Sequence, residues 1–176
     1  MYCGKNKTAL TSLDQIAEAL IDLLRRKGFD RISVSELCRE SGISRQTFYN
    51  LYQSKENVMI YVLQDKYCSI PDTEDDDPLM LICREYAQYI YDNRELLSLL
   101  TRNQIIYLLY DSICDSLNSC CSFTGACSAR GLPLFSTGFF AGAITGFVIA
   151  YCNQQDPMSC SELQDSLYQL FSMKKG

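Results

Sequence analysis

The sequence predicts an all-α protein of about nine helices, in which an N-terminal helix-turn-helix domain of three helices precedes a larger helical domain. Three observations support this fold class. Apolar residues recur every three or four positions, rather than every two, in nearly every segment. Two short segments meet at Gly42, and each follows a serine suited to capping a helix. The acidic, proline-flanked stretch "IPDTEDDDP", residues 70–78, separates a domain at 1–67 from a domain at 68–176.

The first predicted helix carries its apolar residues on one face. Leu13, Ile16, Leu20 and Leu24 are spaced by three or four residues. Gly28 follows the last of them, and glycine is a usual residue just beyond a helix C-terminus. We therefore expect this helix to end immediately before Gly28.

The next helices are predicted from their caps. Ser33, followed three residues later by Glu36, has the spacing of a capping box, so a short second helix should begin there and end at Gly42. A third helix should follow Ser44, and a fourth should follow Ser54.

Beyond the acidic connector, apolar stripes at helical spacing continue to the end of the chain. They are formed by Leu79, Ile82, Cys83, Tyr86 and Ile90, by Leu96, Leu97 and Leu100, by Ile106, Leu109, Ile113 and Leu117, and by Leu163, Leu167, Leu170 and Phe171. Ser159 and Glu162 repeat the capping-box spacing before the last stripe. These stripes predict helices and no strand.

Composition excludes several classes of function. The 47% apolar content can supply a real core, but there is no histidine to act as a base or a metal ligand. The ten cysteines include no C-x-x-C pair and are expected to be reduced thiols. We find no nucleophile and base pair, no phosphate loop and no cofactor motif. The sequence therefore predicts that the protein is not an enzyme and carries no metal or cofactor.

Charge is distributed unevenly along the chain. The formal net charge of −5 divides into +2 over residues 1–67 and −7 over residues 68–176. Because the phosphates of nucleic acid attract Lys and Arg, only the first domain has a charge balance compatible with that partner.

Residues 33–58 form the segment in which the sequence indicates a binding surface. Two short helices joined at a glycine, with Leu37 inward on the first and Phe48 and Leu51 inward on the second, have the spacing of a helix-turn-helix. Ile43 is expected to fill the corner between them. In such a unit the second helix lies in the DNA major groove and presents its N-terminal side chains to base edges.

The first turn of that second helix offers side chains that suit base edges: an arginine for guanine, a glutamine for adenine, and a threonine hydroxyl and methyl. Phenol, amide and ammonium groups further along suit backbone phosphates, as do the two serine-capped helix starts. The predicted base-reading residues are Arg45, Gln46 and Thr47, and the predicted phosphate contacts are Ser33, Ser44, Tyr49, Asn50 and Lys55.

Residues 9–67, and especially "ISVSELCRESGISRQTFYNLYQSKENVM", resemble the DNA-binding domain of TetR-type bacterial transcriptional regulators. The similar features are Gly28 and Phe29 after the first helix, the Ile-Ser-Val start of the second, Gly42, the pair Tyr49 and Tyr52, and Ser54, Lys55 and Glu56. The family more often has alanine where Cys38 and Ser41 stand, and phenylalanine where Tyr52 stands.

The resemblance implies that the second domain binds a small-molecule effector and that its last two long helices pair with those of a second subunit. Repression, by blocking polymerase, is the usual outcome in the family. Aromatic residues crowd this domain, and although their spacing also fits an ordinary core, they suit a pocket for a flat apolar ligand. The expected pocket residues are Tyr86, Tyr89, Tyr107, Tyr110, Phe135 and Phe139.

The uncharged stretch at 131–155 is long enough to span a bilayer, but glycine, serine, threonine and proline dilute it and no basic cluster flanks it. Within it, small residues recur every four positions, which allows a second helix to approach closely. We therefore expect a helix at 133–152 to form a homodimer core, with no membrane span. The predicted interface residues are Gly138, Gly142, Gly146, Ala150, Leu163, Leu167 and Leu170.

The predicted function is that of a sequence-specific DNA-binding transcriptional regulator. A two-fold dimer places two recognition helices on one duplex, so its double-stranded operator should be pseudo-palindromic. The N-terminus does not resemble a signal peptide, which predicts a cytoplasmic protein. Two alternatives remain open: a helical protein-interaction module without specific DNA binding, and a thiol-responsive regulator using the cluster Cys114, Cys120, Cys121 and Cys127.

Overall fold

A computed structural model describes residues 7–65, 78–119, 124 and 133–172. These residues form nine α-helices and one 3-10 turn, and no strand occurs among them. The predicted all-α class is therefore confirmed. The predicted boundary between residues 67 and 68 and the acidic connector lie outside the described residues.

The N-terminal part of the chain contains four helices that follow one another closely. They are α1 (Lys7–Arg26), α2 (Val34–Ser41), α3 (Arg45–Leu51) and α4 (Lys55–Asp65), with the 3-10 turn at Phe29–Arg31 between the first two. The C-terminal part contains α5 (Pro78–Asp92), α6 (Arg94–Arg102), α7 (Tyr107–Ser119), α8 (Pro133–Cys152) and α9 (Cys160–Phe171).

Serine caps begin four of these helices, as the sequence predicts. The Oγ atoms of Ser33, Ser44, Ser54 and Ser159 each accept a hydrogen bond from the backbone N–H three residues later. Among the described helices, a complete capping box forms only at Ser159, whose backbone N–H donates to the carboxylate of Glu162 over 2.8 Å.

At the start of α2 the second half of the predicted capping box is replaced by an ion pair. The carboxylate of Glu36 accepts from the ammonium of Lys27 instead of from the backbone of Ser33. This hydrogen bond is the main reason why the pKa of Glu36 lies below its ordinary value. The pair ties the end of α1 to the first turn of α2.

The described helices share one continuous hydrophobic core. In the N-terminal part, α1 packs against α2 and α4. In the C-terminal part, α5 packs along α9, and α7 packs along α8. Contacts of α4 with α7 and of α1 with α6 join the two parts. The helices that carry the N-terminal motif are therefore held directly against the C-terminal helices.

Gly28 does not act as the left-handed cap that its position after the first helix predicts. Its φ of −63° and ψ of 146° are ordinary extended values, and it begins the 3-10 turn. The next backbone N–H, that of Phe29, donates to Oδ1 of Asn103 over 2.8 Å. The chain turns here because Asn103, at the end of α6, holds this backbone group.

The uncharged stretch forms α8, a single helix of 20 residues. No helix of the described part of the chain is both long and apolar enough to span a membrane. One face of α8 packs inside the subunit through Ala141, Ile144 and Val148. Its other side exposes Gly142 and Gly146, so α8 is only partly covered within one subunit.

Candidate nucleic-acid interface

Helices α2 and α3 meet at a turn that only glycine adopts without strain. Gly42 has φ 69° and ψ 15°, in the left-handed region, and its N–H donates to the carbonyl of Arg39 over 3.4 Å. The following N–H, of Ile43, donates to the carbonyl of Cys38 over 3.0 Å. Ile43 is half-buried against the core, which agrees with its predicted place in the corner.

The inward face of α3 fixes the helix on the domain. Phe48 and Leu51 are buried, as predicted, and Tyr52 at the C-terminal cap is also fully buried. The hydroxyl of Tyr52 donates to the backbone carbonyl of Leu13 in α1 over 3.0 Å. Tyrosine here therefore adds a hydrogen bond that the family's more usual phenylalanine lacks.

The opposite face of α3 is open to solvent. Arg45, Gln46, Tyr49 and Asn50 are all exposed, and 45% of the Tyr49 surface remains accessible. Within the described part of the chain, the side chains of Arg45 and Gln46 form no hydrogen bond or ion pair. Their donors and acceptors are thus available to another molecule.

The hydroxyl of Thr47, at the start of α3, is already hydrogen bonded within the helix, unlike the side chains of Arg45 and Gln46. The hydroxyls of Ser44 and Thr47 lie 2.8 Å apart and are hydrogen bonded to each other. Ser44 also accepts from the backbone N–H of Thr47 over 3.1 Å. The methyl of Thr47 is consequently the more available of its two contact groups.

The ammonium of Lys55 is partly engaged inside the domain. It donates to the carbonyls of Phe29, over 2.7 Å, and of Ile32, over 3.3 Å, and it lies 4.2 Å from the centre of the Phe29 ring. An ammonium has three N–H donors, so one remains. Lys55 therefore holds the 3-10 turn against α4 in addition to its predicted contact with phosphate.

The residues expected to line an effector pocket do not share one environment. Tyr86 and Tyr89 are buried, Tyr110 is half-buried, and Tyr107 and Phe139 are exposed by 51% and 65%. Phe135 lies in α8, and its side chain is outside the described residues. The described side chains lie partly in the core and partly on the surface.

The residues expected at a dimer interface divide into two groups. Gly142, Gly146, Ala150 and Leu170 are exposed, whereas Gly138 is half-buried beside the hydroxyl of Tyr110. Leu163 and Leu167 are fully buried inside the subunit and belong to its core. They offer no surface to a second copy, because α5 already covers that face of α9.

Three cysteines of the described chain are disfavoured as reactive thiols. Burial raises the pKa of Cys38, Cys152 and Cys160, which disfavours the reactive thiolate. Cys114 is half-buried, whereas the other three members of the predicted thiol cluster, Cys120, Cys121 and Cys127, lie outside the described residues.

Helices α2 and α3 are short and meet at a left-handed glycine, and α3 is anchored on one face and exposes polar side chains on the other. This arrangement defines the helix-turn-helix class of DNA-binding proteins.

The family model "Bacterial regulatory proteins, tetR family" matches residues 16–62. Among proteins of known function, the chain is 29% identical over 103 residues to the HTH-type dhaKLM operon transcriptional activator DhaS of Lactococcus lactis. That match covers 57% of this chain and about half of the relative, 49%.

Solved structures match the fold over nearly the whole chain. Lin0861 from Listeria innocua has a TM-score of 0.73 at 14% identity, with 98% of this chain and 95% of that chain covered. A TetR transcriptional regulator from Streptococcus agalactiae has a TM-score of 0.63 at 15% identity, covering 94% and 96%. Residues 16–62 therefore match the tetR family model, and the overall fold is that of these solved structures. The resemblance predicted from the sequence is confirmed to that extent.

Proposed function

We propose that the protein is a sequence-specific DNA-binding transcriptional regulator whose α3 enters the major groove. One observation carries this proposal: α3 is anchored by the buried Phe48 and Leu51, while Arg45 and Gln46 stand exposed on its first turn. An arginine and a glutamine at these positions are suited to bidentate contacts with guanine and adenine. The match of residues 16–62 to the tetR family supports the same assignment.

Tyr49, Asn50 and Lys55 are proposed to contact phosphates, which position the protein without reading sequence. The capped starts of α2 and α3, at Ser33 and Ser44, are proposed to face the backbone as well. Such contacts would make affinity fall steeply with salt, because each phosphate contact releases counterions.

We propose that the protein acts as a homodimer on a pseudo-palindromic operator in the cytoplasm. Support comes from the exposed small residues Gly142, Gly146 and Ala150 on α8, and from Leu170 on α9, which is 50% exposed. Phe139, predicted for the effector pocket, is also exposed on α8 and suits this interface better. A two-fold axis through these helices would present two α3 helices to one duplex.

The proposed outcome of DNA binding is repression that a small-molecule effector relieves, without catalysis by the protein itself. Activation is the second candidate, because the relative from Lactococcus lactis is named as a transcriptional activator. A reporter placed behind the bound DNA separates the two. Deleting the gene for this protein raises expression of the reporter if the protein is a repressor, and lowers it if the protein is an activator.

Footprinting of the purified protein on the DNA upstream of its own gene tests the proposal. A protected, imperfectly palindromic site, with affinity that falls steeply between low and physiological salt, is expected. Uniform, sequence-independent binding, or none, would instead favour an interaction module. DNA affinity that changes with mild peroxide and recovers with reductant would favour the thiol-responsive alternative.

A further inference from the structure

A cleft of about 520 Å³ lies where α1 meets α6, outside the proposed DNA-reading face. We name it the arginine cleft, and its lining residues are Arg25, Arg94, Glu95, Ser98, Leu99 and Arg102. Its volume lies within the range of small-molecule sites in proteins, about 300–1,000 Å³. None of the aromatic residues expected to form an effector pocket lines it.

The arginine cleft has an excess of positive charge. Arg25 forms ion pairs with Glu95 of the cleft and with Asp22 of α1, each at 2.8 Å, so its own charge is compensated. Neither Arg94 nor Arg102 forms an ion pair with any residue of the described chain. In a region whose overall charge is strongly negative, these two arginines line the same cleft from opposite ends of α6, and neither has a carboxylate partner among the described residues.

Arg94 is held in place with a donor still unused. Its guanidinium carbon lies 5.5 Å from the centre of the buried Tyr151 ring, and one terminal nitrogen donates to the carbonyl of Gln154 over 3.5 Å. Its Nε is buried and has no hydrogen-bond partner among the described residues. Because this atom is closed to solvent, an anion in the cleft would be bound by the terminal nitrogens of the guanidinium, which carry the other N–H donors.

We propose that the arginine cleft binds a small dianion, either a phosphate monoester or a dicarboxylate. The planar fork of a guanidinium matches the oxygens of both groups, and two uncompensated arginines match two negative charges. Ser98 adds a hydroxyl to the lining, although this hydroxyl is also hydrogen bonded to Cys152. Leu99 adds an apolar wall for the carbon skeleton of the ligand.

A neighbouring cleft of about 140 Å³ does not share these properties. It lies on the other side of the Arg25 and Glu95 pair and is lined also by Asp92. Two carboxylates therefore face one guanidinium, which repels an anion. The charge balance and the volume both favour the arginine cleft.

Anion binding in the arginine cleft is coupled to the position of the DNA-binding helices, because the cleft lies at the contact between α1 and α6. Arg25 belongs to the last turn of α1, whereas the other cleft residues belong to α6. A bound anion attracts Arg25 and competes with Glu95 for it, so the α1–α6 contact differs between the free and the occupied states. This regulatory step rests on the proposed DNA binding, whereas anion binding itself does not.

Calorimetric titration of the full-length protein without DNA tests the site. The probes are glycerol 3-phosphate and succinate, each compared with glycerol and with chloride at matched ionic strength. The titration is expected to show saturable binding of at least one of the two anions. Thermal unfolding at a saturating concentration of that anion should then show a melting temperature raised by about 5 °C or more. A response to only one of them identifies the headgroup, and no response to either beyond that of chloride overturns the proposal.

Two variants locate the binding to the arginine cleft. Arg102→Gln, at an exposed position, and Arg94→Gln are each expected to weaken the anion by roughly ten-fold or more, because each removes a charge-assisted contact. Arg84→Gln, an exposed arginine of α5 outside the cleft, is the matched control. Equal losses in all three variants would show general screening and overturn the assignment. Arg102→Gln keeps the test valid if Arg94→Gln disturbs packing on Tyr151.

DNA affinity measured with and without the same anion tests the regulatory step. A change of several-fold in the parent protein, absent in Arg102→Gln, is expected. Anion binding with no change in DNA affinity would overturn the coupling and leave the site intact. Anion binding by a protein that binds no DNA in either state would overturn the proposed function instead, so the two failures are distinguishable.

Discussion

The Nε of Arg25 donates to Oε1 of Glu95 over 2.8 Å, and this ion pair joins the last turn of α1 to the first turn of α6. A second link lies close by, where Asn103 at the end of α6 accepts from the backbone of Phe29. The helix that supports the DNA-binding motif is therefore attached to the C-terminal helices by a charged contact and a neutral one. Only the charged contact can be altered by an anion.

Glu95→Gln is expected to strengthen anion binding in the arginine cleft by roughly five-fold, because it removes a negative charge from the site and leaves Arg25 paired with Asp22 alone. Glu85→Gln, whose carboxylate pairs with Arg84 outside the cleft, is the control and should change nothing. Calorimetric titration with glycerol 3-phosphate or succinate measures both. Weaker binding by Glu95→Gln than by the parent would contradict the charge argument.

Gly42→Ala is expected to lower the free energy of unfolding by about 1 kcal/mol, because the left-handed φ of 69° is unfavourable for a residue with a Cβ. No atom lies within 4 Å of that Cβ, so strain rather than collision is the cause. Gly28→Ala is the matched control: its φ is −63° and its Cβ would lie 3.9 Å from Asn103. Urea unfolding of both variants checks the difference. Equal losses would refute the backbone explanation.

Tyr52→Phe and Tyr49→Phe should separate stability from DNA binding within one helix segment. Tyr52→Phe loses the buried hydrogen bond to Leu13, so its free energy of unfolding should fall by about 0.5–1.5 kcal/mol while DNA affinity is kept. Tyr49→Phe removes an exposed hydroxyl and should weaken DNA binding with little change in stability. Thermal unfolding and fluorescence anisotropy measure the two effects. The reverse pattern would overturn both assignments.

Gly142→Leu is expected to weaken a homodimer by about ten-fold or more, because a large side chain would enter a close helix contact. Position 142 is exposed, and a Cβ there would lie 4.0 Å from the ring of Tyr110, an ordinary van der Waals contact. Gln15→Leu adds the same side chain at an exposed position of α1 and serves as the control. Sedimentation velocity across a dilution series measures the change. A dimer of unaltered strength in Gly142→Leu would place the interface elsewhere.

The features that the sequence predicts correctly are those determined by near neighbours. Serine caps act three residues along the chain, and the left-handed turn at Gly42 depends on local backbone geometry. The inward side of α3 follows from helical spacing, which Phe48 and Leu51 obey. The all-α class and the location of the motif therefore follow from the amino-acid sequence alone.

The features that the sequence does not predict depend on partners distant in the chain. The sequence predicts only a phosphate contact for Lys55. In the structure its ammonium also donates to two backbone carbonyls at the 3-10 turn, more than twenty residues earlier in the chain. Leu163 has the periodicity of any buried leucine, which does not distinguish the subunit's own core from a dimer interface. The arginine cleft combines α1 and α6, and no local pattern marks Arg94 or Arg102 as members of one site.

In the proposed complex the first turn of α3 reads base edges, while Lys55 contacts the DNA backbone. Binding of the parent protein, Arg45→Ala and Lys55→Ala to the footprinted duplex and to its single-base substitutions tests this claim most directly. Arg45→Ala should lose about 1–3 kcal/mol of discrimination at one base pair of each half-site, whereas Lys55→Ala should weaken all sequences alike. Equal, sequence-independent losses in both variants would contradict the account.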